Sequence, residues 1–164
     1  MSETFRVGIG YDIHRLSDGA RLVLGGVDVP YSKGLAGHSD ADVVLHAVTD
    51  ALLGAAGLPD IGELFPDTDP RYAGIDSRSL LASAMEMIRA NGLAPRNVDL
   101  IVHAEAPKMS PHKRAMAKSI AALTDLTPDR VTVKAKTNEG LDAVGRGEAI
   151  ACTVVALIER IARE

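Results

Sequence analysis

Two histidines and an aspartate in the first third of the chain have the residue types and spacing of a metal site. Asp12 and His14, in GYDIH, stand two residues apart. If this segment is a strand, both side chains leave the same face of a sheet. His46 lies in GHSDADVVLHAVTD, Gly37 to Asp50, which reads as a helix. It completes a His2Asp set if that helix packs across the strand. Imidazole and carboxylate suit a borderline divalent ion such as zinc, and three protein ligands leave a position open for a substrate oxygen. The plainer alternative is an Asp-His pair at a strand edge with a solvated helix histidine. Asp42 and Asp50 flank His46 at intervals of four, so the three would share one helix face. These carboxylates are either partners that fix the imidazole tautomer or part of a stripe facing water.

Phosphate chemistry is suggested at other places. His38 and Ser39 precede the helix, where unpaired amides and the helix dipole favour an anion. Arg146, in GRGE, is a glycine-flanked guanidinium capable of a bidentate grip. In KTNEG, Thr137 could donate to an oxygen and Glu139 could hold a hard cation over phosphates, although Asn138, Glu139 and Gly140 equally suit a plain turn. Asp60, Asp67 and Asp69 matter chemically only if their loop folds over a ligand. No P-loop or dinucleotide fingerprint is present: GIGYDI lacks the final glycine.

The elements that must position these groups are legible from pattern. Phe5 to Leu16 reads as a strand, and RLVL and VDVP read as a hairpin around Gly25 and Gly26. Ser39 or Asp40 is expected to cap a helix running to about Gly57, with Ser39 and Asp42 nearly forming a capping box. LPDIGELFPDTDPRYAGID then reads as a long loop. Asp76 or Ser77 opens a second helix that stops at Asn91-Gly92. NVDLIVHAE reads as a strand, and Ser110-Pro111 is expected to begin a third helix. RVTVKAKT alternates as a strand, and the Cys-Thr-Val-Val centre of EAIACTVVALIERIA favours strand over helix there. With neither repeat nor linker, the expectation is one α+β domain over residues 1–164, a two-layer sandwich with helices on one face of a mixed sheet.

Composition narrows the function classes. With 46% hydrophobic and 24% charged residues over 164 positions, the chain belongs with folded globular domains. A formal net charge of -4 and the absence of a dense Lys/Arg stripe argue against binding a nucleic-acid backbone. Aromatics at 3% supply no base-stacking platform. Cys152 is the single cysteine and sits in an apolar run, as a small buried hydrophobe would. The first ten residues lack a leader pattern and no apolar run reaches membrane-spanning length, so a cytoplasmic protein is expected.

Several stretches resemble one family in order and over nearly the full chain: GYDIHRL, GGVDVPYSKGLAGHSDADVVLHAVTDALLGA, DIGELFPDTDP, EAPKMSPH, KAKTNEGL and GRGEAIAC. The family is 2-C-methyl-D-erythritol 2,4-cyclodiphosphate synthase, of the non-mevalonate isoprenoid pathway. The resemblance implies an α+β subunit assembled as a homotrimer with active sites between neighbours. It implies conversion of 4-diphosphocytidyl-2-C-methyl-D-erythritol 2-phosphate to the 2,4-cyclodiphosphate and CMP, the 2-phosphate attacking the phosphorus nearer the erythritol.

Carried over by the same resemblance, Asp12, His14 and His46 correspond to Zn2+ ligands, and Glu139 to the ligand of a second ion, Mg2+ or Mn2+. His38 and Thr137 correspond to transition-state stabilisers, with Ser39 beside the 2-phosphate. Asp60, Ile61 and Gly62 match the segment near ribose and erythritol, and Phe65, Pro66, Asp67, Thr68 and Asp69 the adjoining lid-like loop. Ala104, Glu105, Ala106, Pro107, Lys108, Met109 and Ser110 match the cytidine-binding loop. Lys136 and Asn138 flank the Thr137 and Glu139 positions, and Arg146 corresponds to a phosphate-side arginine. Ala143 departs from the pattern, standing where many members carry an aromatic or larger residue near the trimer axis. Two rival readings use the same residues: a metal-dependent phosphohydrolase that activates water, and a trimeric small-molecule-binding domain without turnover.

Overall fold

The computed structural model describes residues 5–37, 39–66 and 68–161. Strand β1 spans Phe5–Asp18, and short strands β2 (Val23–Leu24) and β3 (Val27–Asp28) form the expected hairpin. Its turn residues Gly25 and Gly26 have φ of 62° and 74°, the left-handed pair that lets a two-residue turn follow strand twist. Next come β4 (Lys33–Leu35), helix α1 (Val43–Ala56), one-turn helix α2 (Ile61–Leu64) and helix α3 (Ser77–Ala90). Strand β5 (Leu93–His103), helix α4 (Lys113–Leu123), strand β6 (Val131–Lys136), short helix α5 (Asp142–Gly145) and strand β7 (Ala149–Arg160) complete the order. The five long-range strands pair as β4-β1-β7-β5-β6, antiparallel throughout except for β5 with β6. The sheet is therefore mixed, and helices pack on one face, as the sequence pattern implies.

Three local expectations need correction. The helix cap is Asp42, not Ser39 or Asp40: its carboxylate accepts from Val44 and Leu45 N–H at 3.1 and 3.0 Å. Asp42, two residues downstream of Asp40, takes the cap because its chain position lets both carboxylate oxygens reach backbone donors. The third helix begins at Lys113, without a side-chain cap, rather than at Ser110-Pro111. The long loop is partly ordered, since Asp60 caps α2 and Asp69 caps a 3-10 turn at Pro70–Tyr72. The final apolar run is a strand, and Cys152 in it is buried and unpaired.

Helix α1 is buried on nearly every side, which is how a helix apolar around most of its circumference must sit. Its closeness to the sheet depends on Gly8 and Gly10 of β1. A Cβ on Gly10 would lie 2.0 Å from the Ala47 carbonyl oxygen, and one on Gly8 would lie 2.0 Å from that of Ala51. The helix-facing side of β1 thus runs Gly8, Gly10, Asp12, His14, two bare positions followed by two candidate ligands. The opposite side carries Phe5, Val7, Ile9, Tyr11 and Ile13, which are 57, 67, 71, 57 and 43% exposed. Among the described residues the chain therefore has a second apolar sheet face that its own helices leave uncovered.

Candidate metal and phosphate site

The sequence positions Asp12 and His14 by strand alternation and His46 one turn inside α1, and the glycine contact brings the two elements together. Asp12 Oδ2 lies 3.0 Å from both His14 Nε2 and His46 Nδ1, which are themselves 3.0 Å apart. Among the described residues these three form the group of candidate metal ligands. Four ligands held tetrahedrally at about 2.0–2.1 Å from zinc stand about 3.3 Å from one another. The observed triangle is close to one face of that tetrahedron. Three lone-pair-bearing atoms aimed at one centre repel unless a proton or cation lies among them, so the donor set fits a cation with an open fourth position.

Protonation follows from the same proximity. Burial opposes the charge on Asp12, but hydrogen bonds and positive charge from His14 and His46 outweigh it and hold the carboxyl well below the usual range. Burial disfavours a charged His14, yet the hydrogen bond and charge of Asp12, with help from the Ala36 backbone, raise its pKa. Without a cation the cluster therefore holds protons in its place.

Neither Asp42 nor Asp50 hydrogen-bonds His46: Asp42 is withdrawn from water, and half-buried Asp50 lines the cavity beside the triad. Asp42 is fully buried and, besides capping α1, accepts from Gly25 and Gly26 N–H at 2.8 and 2.6 Å. It ties the hairpin turn to the helix start, and burial pushes its carboxyl up to about 6 against the pull of those donors. Asp50 accepts from Ile61 N–H at 2.9 Å and so fixes the start of α2. The partners of the outer His46 nitrogen are instead Ser77 Oγ at 2.9 Å and Ser39 Oγ at 3.2 Å. Sequence reasoning places Ser77 only at a helix start; its link to His46 spans 31 positions and leaves no local signal.

A cavity of about 680 Å³ opens beside the triad. Asp12, His14, Ser39, His46, Ile61, Gly62 and Phe65 line it, with Asp50, Tyr72 and Ile75. Asp60 stands at its side as the α2 cap, donated to by Glu63 N–H at 2.9 Å. Pro66 is half-buried, Thr68 exposed, and Asp69 ion-paired with Arg71 at 2.6 Å. His38 and Asp67 lie outside the described residues.

The remaining site candidates assemble elsewhere. Ala104 N–H donates to the Lys136 carbonyl at 2.9 Å, and Asn138 N–H to Glu105 Oε2 at 3.3 Å. This joins the 104–110 loop to the segment after β6. Within it the Ala106-Pro107 bond is cis, Met109 is buried, and Lys108 and Ser110 are exposed. Thr137 Oγ1 donates to Glu139 Oε1 at 3.1 Å, and exposed Arg146 pairs with Glu148 at 3.0 Å. Register relates this group to the triad: Asp12 pairs with Cys152, Cys152 with Val102, and Val102 with Ala135. Both groups therefore emerge at one end of the sheet, but three strand spacings of about 4.8 Å, or about 14 Å, separate them.

The comparisons with known proteins agree with this architecture. The YgbB family matches residues 5–159. A 2-C-methyl-D-erythritol 2,4-cyclodiphosphate synthase from Bordetella petrii is 60% identical over 160 residues, covering 98% of this chain and 99% of the relative. A solved 2C-methyl-D-erythritol-2,4-cyclodiphosphate synthase in a CDP-bound form is 42% identical at a TM-score of 0.87, covering 94% of this chain and all (100%) of that one. The bifunctional IspDF from Campylobacter jejuni is 41% identical at a TM-score of 0.92, covering 96% of this chain and 42% of that longer one. With the match running from the first residue of β1 almost to the end of β7, this chain belongs to the YgbB family.

Proposed function

We propose that this protein forms 2-C-methyl-D-erythritol 2,4-cyclodiphosphate and CMP from 4-diphosphocytidyl-2-C-methyl-D-erythritol 2-phosphate, in a homotrimer whose sites combine residues of two neighbours. The observation that carries the reading is the Asp12, His14 and His46 triangle facing a cavity large enough for a diphosphate and its sugar. Similarity at 60% identity to a synthase of this name and at 42% to a CDP-bound one supports the substrate.

The chemistry is an internal phosphoryl transfer. An oxygen of the 2-phosphate forms a bond to the phosphorus nearer the erythritol, and the bond from that phosphorus to the CMP oxygen breaks, so water takes no part. Zn2+ at the triad and Mg2+ or Mn2+ at Glu139 would supply Lewis-acid polarisation and charge neutralisation for the diphosphate. Around them, His38 and Thr137 donate to the oxygens on which charge builds, and Ser39 orients the 2-phosphate. Arg146 grips phosphate from the other side. The 104–110 backbone receives the cytosine, while Asp60 to Gly62 and the Phe65 to Asp69 loop enclose the sugars. Holding attacking and leaving groups on one substrate makes positioning the main task.

The trimer reading rests on two features: the uncovered apolar stripe from Phe5 to Ile13, and the lateral gap between the triad and Glu139. A neighbour packed by that stripe supplies a Glu139 group to each triad. The test is subunit complementation. His46→Ala and Glu139→Ala proteins are each inactive; refolded together at equal amounts, about one quarter of random two-subunit sites carry both intact halves. CMP release should recover to about that fraction of wild type. No recovery, with mixed trimers confirmed by native mass, would place each site within one subunit.

A further inference from the structure

We propose that Ser77, backed by Asp40, is a positioning pair for His46: its hydroxyl oxygen accepts a hydrogen bond from the nitrogen facing away from the ligand cluster and so keeps the other nitrogen turned toward Asp12 and His14. The His46 ring has its Nδ1 at 3.0 Å from Asp12 Oδ2 and His14 Nε2, while Nε2 lies 2.9 Å from Ser77 Oγ. The Ser77 hydroxyl donates to Asp40 Oδ1. A serine has one proton, and an ionised carboxylate can only accept. With that proton given to Asp40, Ser77 offers His46 lone pairs alone, so in this 2.9 Å contact, the shorter of the two at Nε2, the imidazole is the donor. The tautomer left by this arithmetic carries its lone pair on Nδ1, inside the triangle. The opposite tautomer would set the Nε2 lone pair against those of Ser77.

Two further contacts make the pair rigid. Ser77 is fully buried at the start of α3, and its N–H lies 3.3 Å from both Asp40 oxygens. Asp40 N–H in turn donates to the Ile75 carbonyl at 3.2 Å. The segment leading into α1 and the start of α3 thus meet behind His46. Ser39 Oγ, at 3.2 Å from Nε2, accepts from Ala41 N–H at 3.0 Å and is the weaker partner of the two. Outer partners of metal-bound histidines set ring orientation and ligand basicity, and losing one typically lowers metal affinity 10–100-fold. Here a hydroxyl stands between imidazole and carboxylate and does the same work by relay.

This inference rests on the reading of Asp12, His14 and His46 as metal ligands, and the test separates the two. Zinc affinity is measured by chelator competition on the full chain and its Ser77→Ala and Asp40→Asn variants, with imidazole nitrogen NMR of the zinc-loaded proteins. The expected spectrum has His46 metallated at Nδ1, with an Nε2 proton protected from water exchange in wild type and exposed in Ser77→Ala. Zinc affinity should fall at least about tenfold in Ser77→Ala, and by less in Asp40→Asn, where the hydroxyl remains. Wild-type affinity in Ser77→Ala, equal exchange rates in the two proteins, or metallation at Nε2 would overturn the proposal while leaving the triad intact. If His46→Ala binds zinc as tightly as wild type, the metal reading itself fails and the positioning pair with it. Should Ser77→Ala not fold, Asp40→Asn and the wild-type spectrum decide.

Discussion

Replacing Gly10 with alanine tests whether close packing of α1 on β1 makes the metal triangle. The new Cβ would sit 2.0 Å from the Ala47 carbonyl oxygen and 2.8 Å from the Ala51 nitrogen, both backbone atoms of α1. Contacts under 3.0 Å are not sustained by real Cβ atoms, so the helix must retreat by about 1 Å at Ala47. Overpacking of a core costs about 1–3 kcal/mol, and the upper end applies because no flexible side chain can yield. For a chain of this size that lowers Tm by about 6–12 °C. Ala47 follows His46, so Nδ1 moves with it, whereas ligand distances are held to about 0.2 Å in a working site. Zinc affinity should fall by about a hundredfold or more, the scale of a 1 Å misplacement at a site of fixed geometry. Gly54→Ala is the control: it lies in the same helix with nothing within 4 Å of its new Cβ, and should gain about 0.5–1 kcal/mol with zinc binding unchanged. Thermal melts and chelator competition on both variants read the outcome. A Gly10→Ala protein with wild-type Tm and zinc affinity would refute the reasoning.

Three other outcomes are expected. Asp42→Ala removes the α1 cap and strands the Gly25 and Gly26 N–H groups, and should cost about 2–4 kcal/mol by denaturant unfolding; a loss below 1 kcal/mol would contradict the clasp role. Because the raised pKa of His14 makes protons compete with metal, zinc affinity should fall by about tenfold per pH unit below that pKa and level off above it, whereas Asp12, held low, stays ionised throughout. Isothermal titration between about pH 5 and 8 checks the sign, and a flat profile would refute it. Ile9→Glu places a charge in the middle of the uncovered stripe, at a position 71% exposed in the subunit; native mass should shift from trimer to monomer with helix and strand content retained, and an unchanged trimer would remove the stripe from the interface.

How much of this was legible in the sequence differs by the range of the interaction. The strand placing Asp12 and His14 on one face, the Gly25-Gly26 hairpin and the Gly57 stop of α1 are local effects of alternation and left-handed turns, and the sequence shows them. The ligand triangle needs one long-range event, packing of α1 on β1, and Gly8 and Gly10 are its trace in the sequence. The caps were less legible because Ser39, Asp40 and Asp42 all suit a helix start, and only the hairpin folding onto the helix selects Asp42. The regular spacing of Asp42, His46 and Asp50 suggested one shared task. In the fold each carboxylate closes a different backbone junction, and Ser77 and Asp40, separated by 37 positions, serve His46. That pairing arises from helix docking, which a single sequence does not record. The distance between the triad and the Glu139 group likewise follows from strand order, which periodicity leaves open.

The central claim is that the site drives an internal attack of phosphate on diphosphate, so the most direct measurement is turnover of 4-diphosphocytidyl-2-C-methyl-D-erythritol 2-phosphate by the zinc- and magnesium-loaded protein in 18O-labelled water, followed by phosphorus NMR and mass spectrometry. The account predicts equal amounts of CMP and cyclic diphosphate, neither carrying label. Labelled products, or free phosphate in place of the cyclic diphosphate, would contradict it and identify water as the nucleophile.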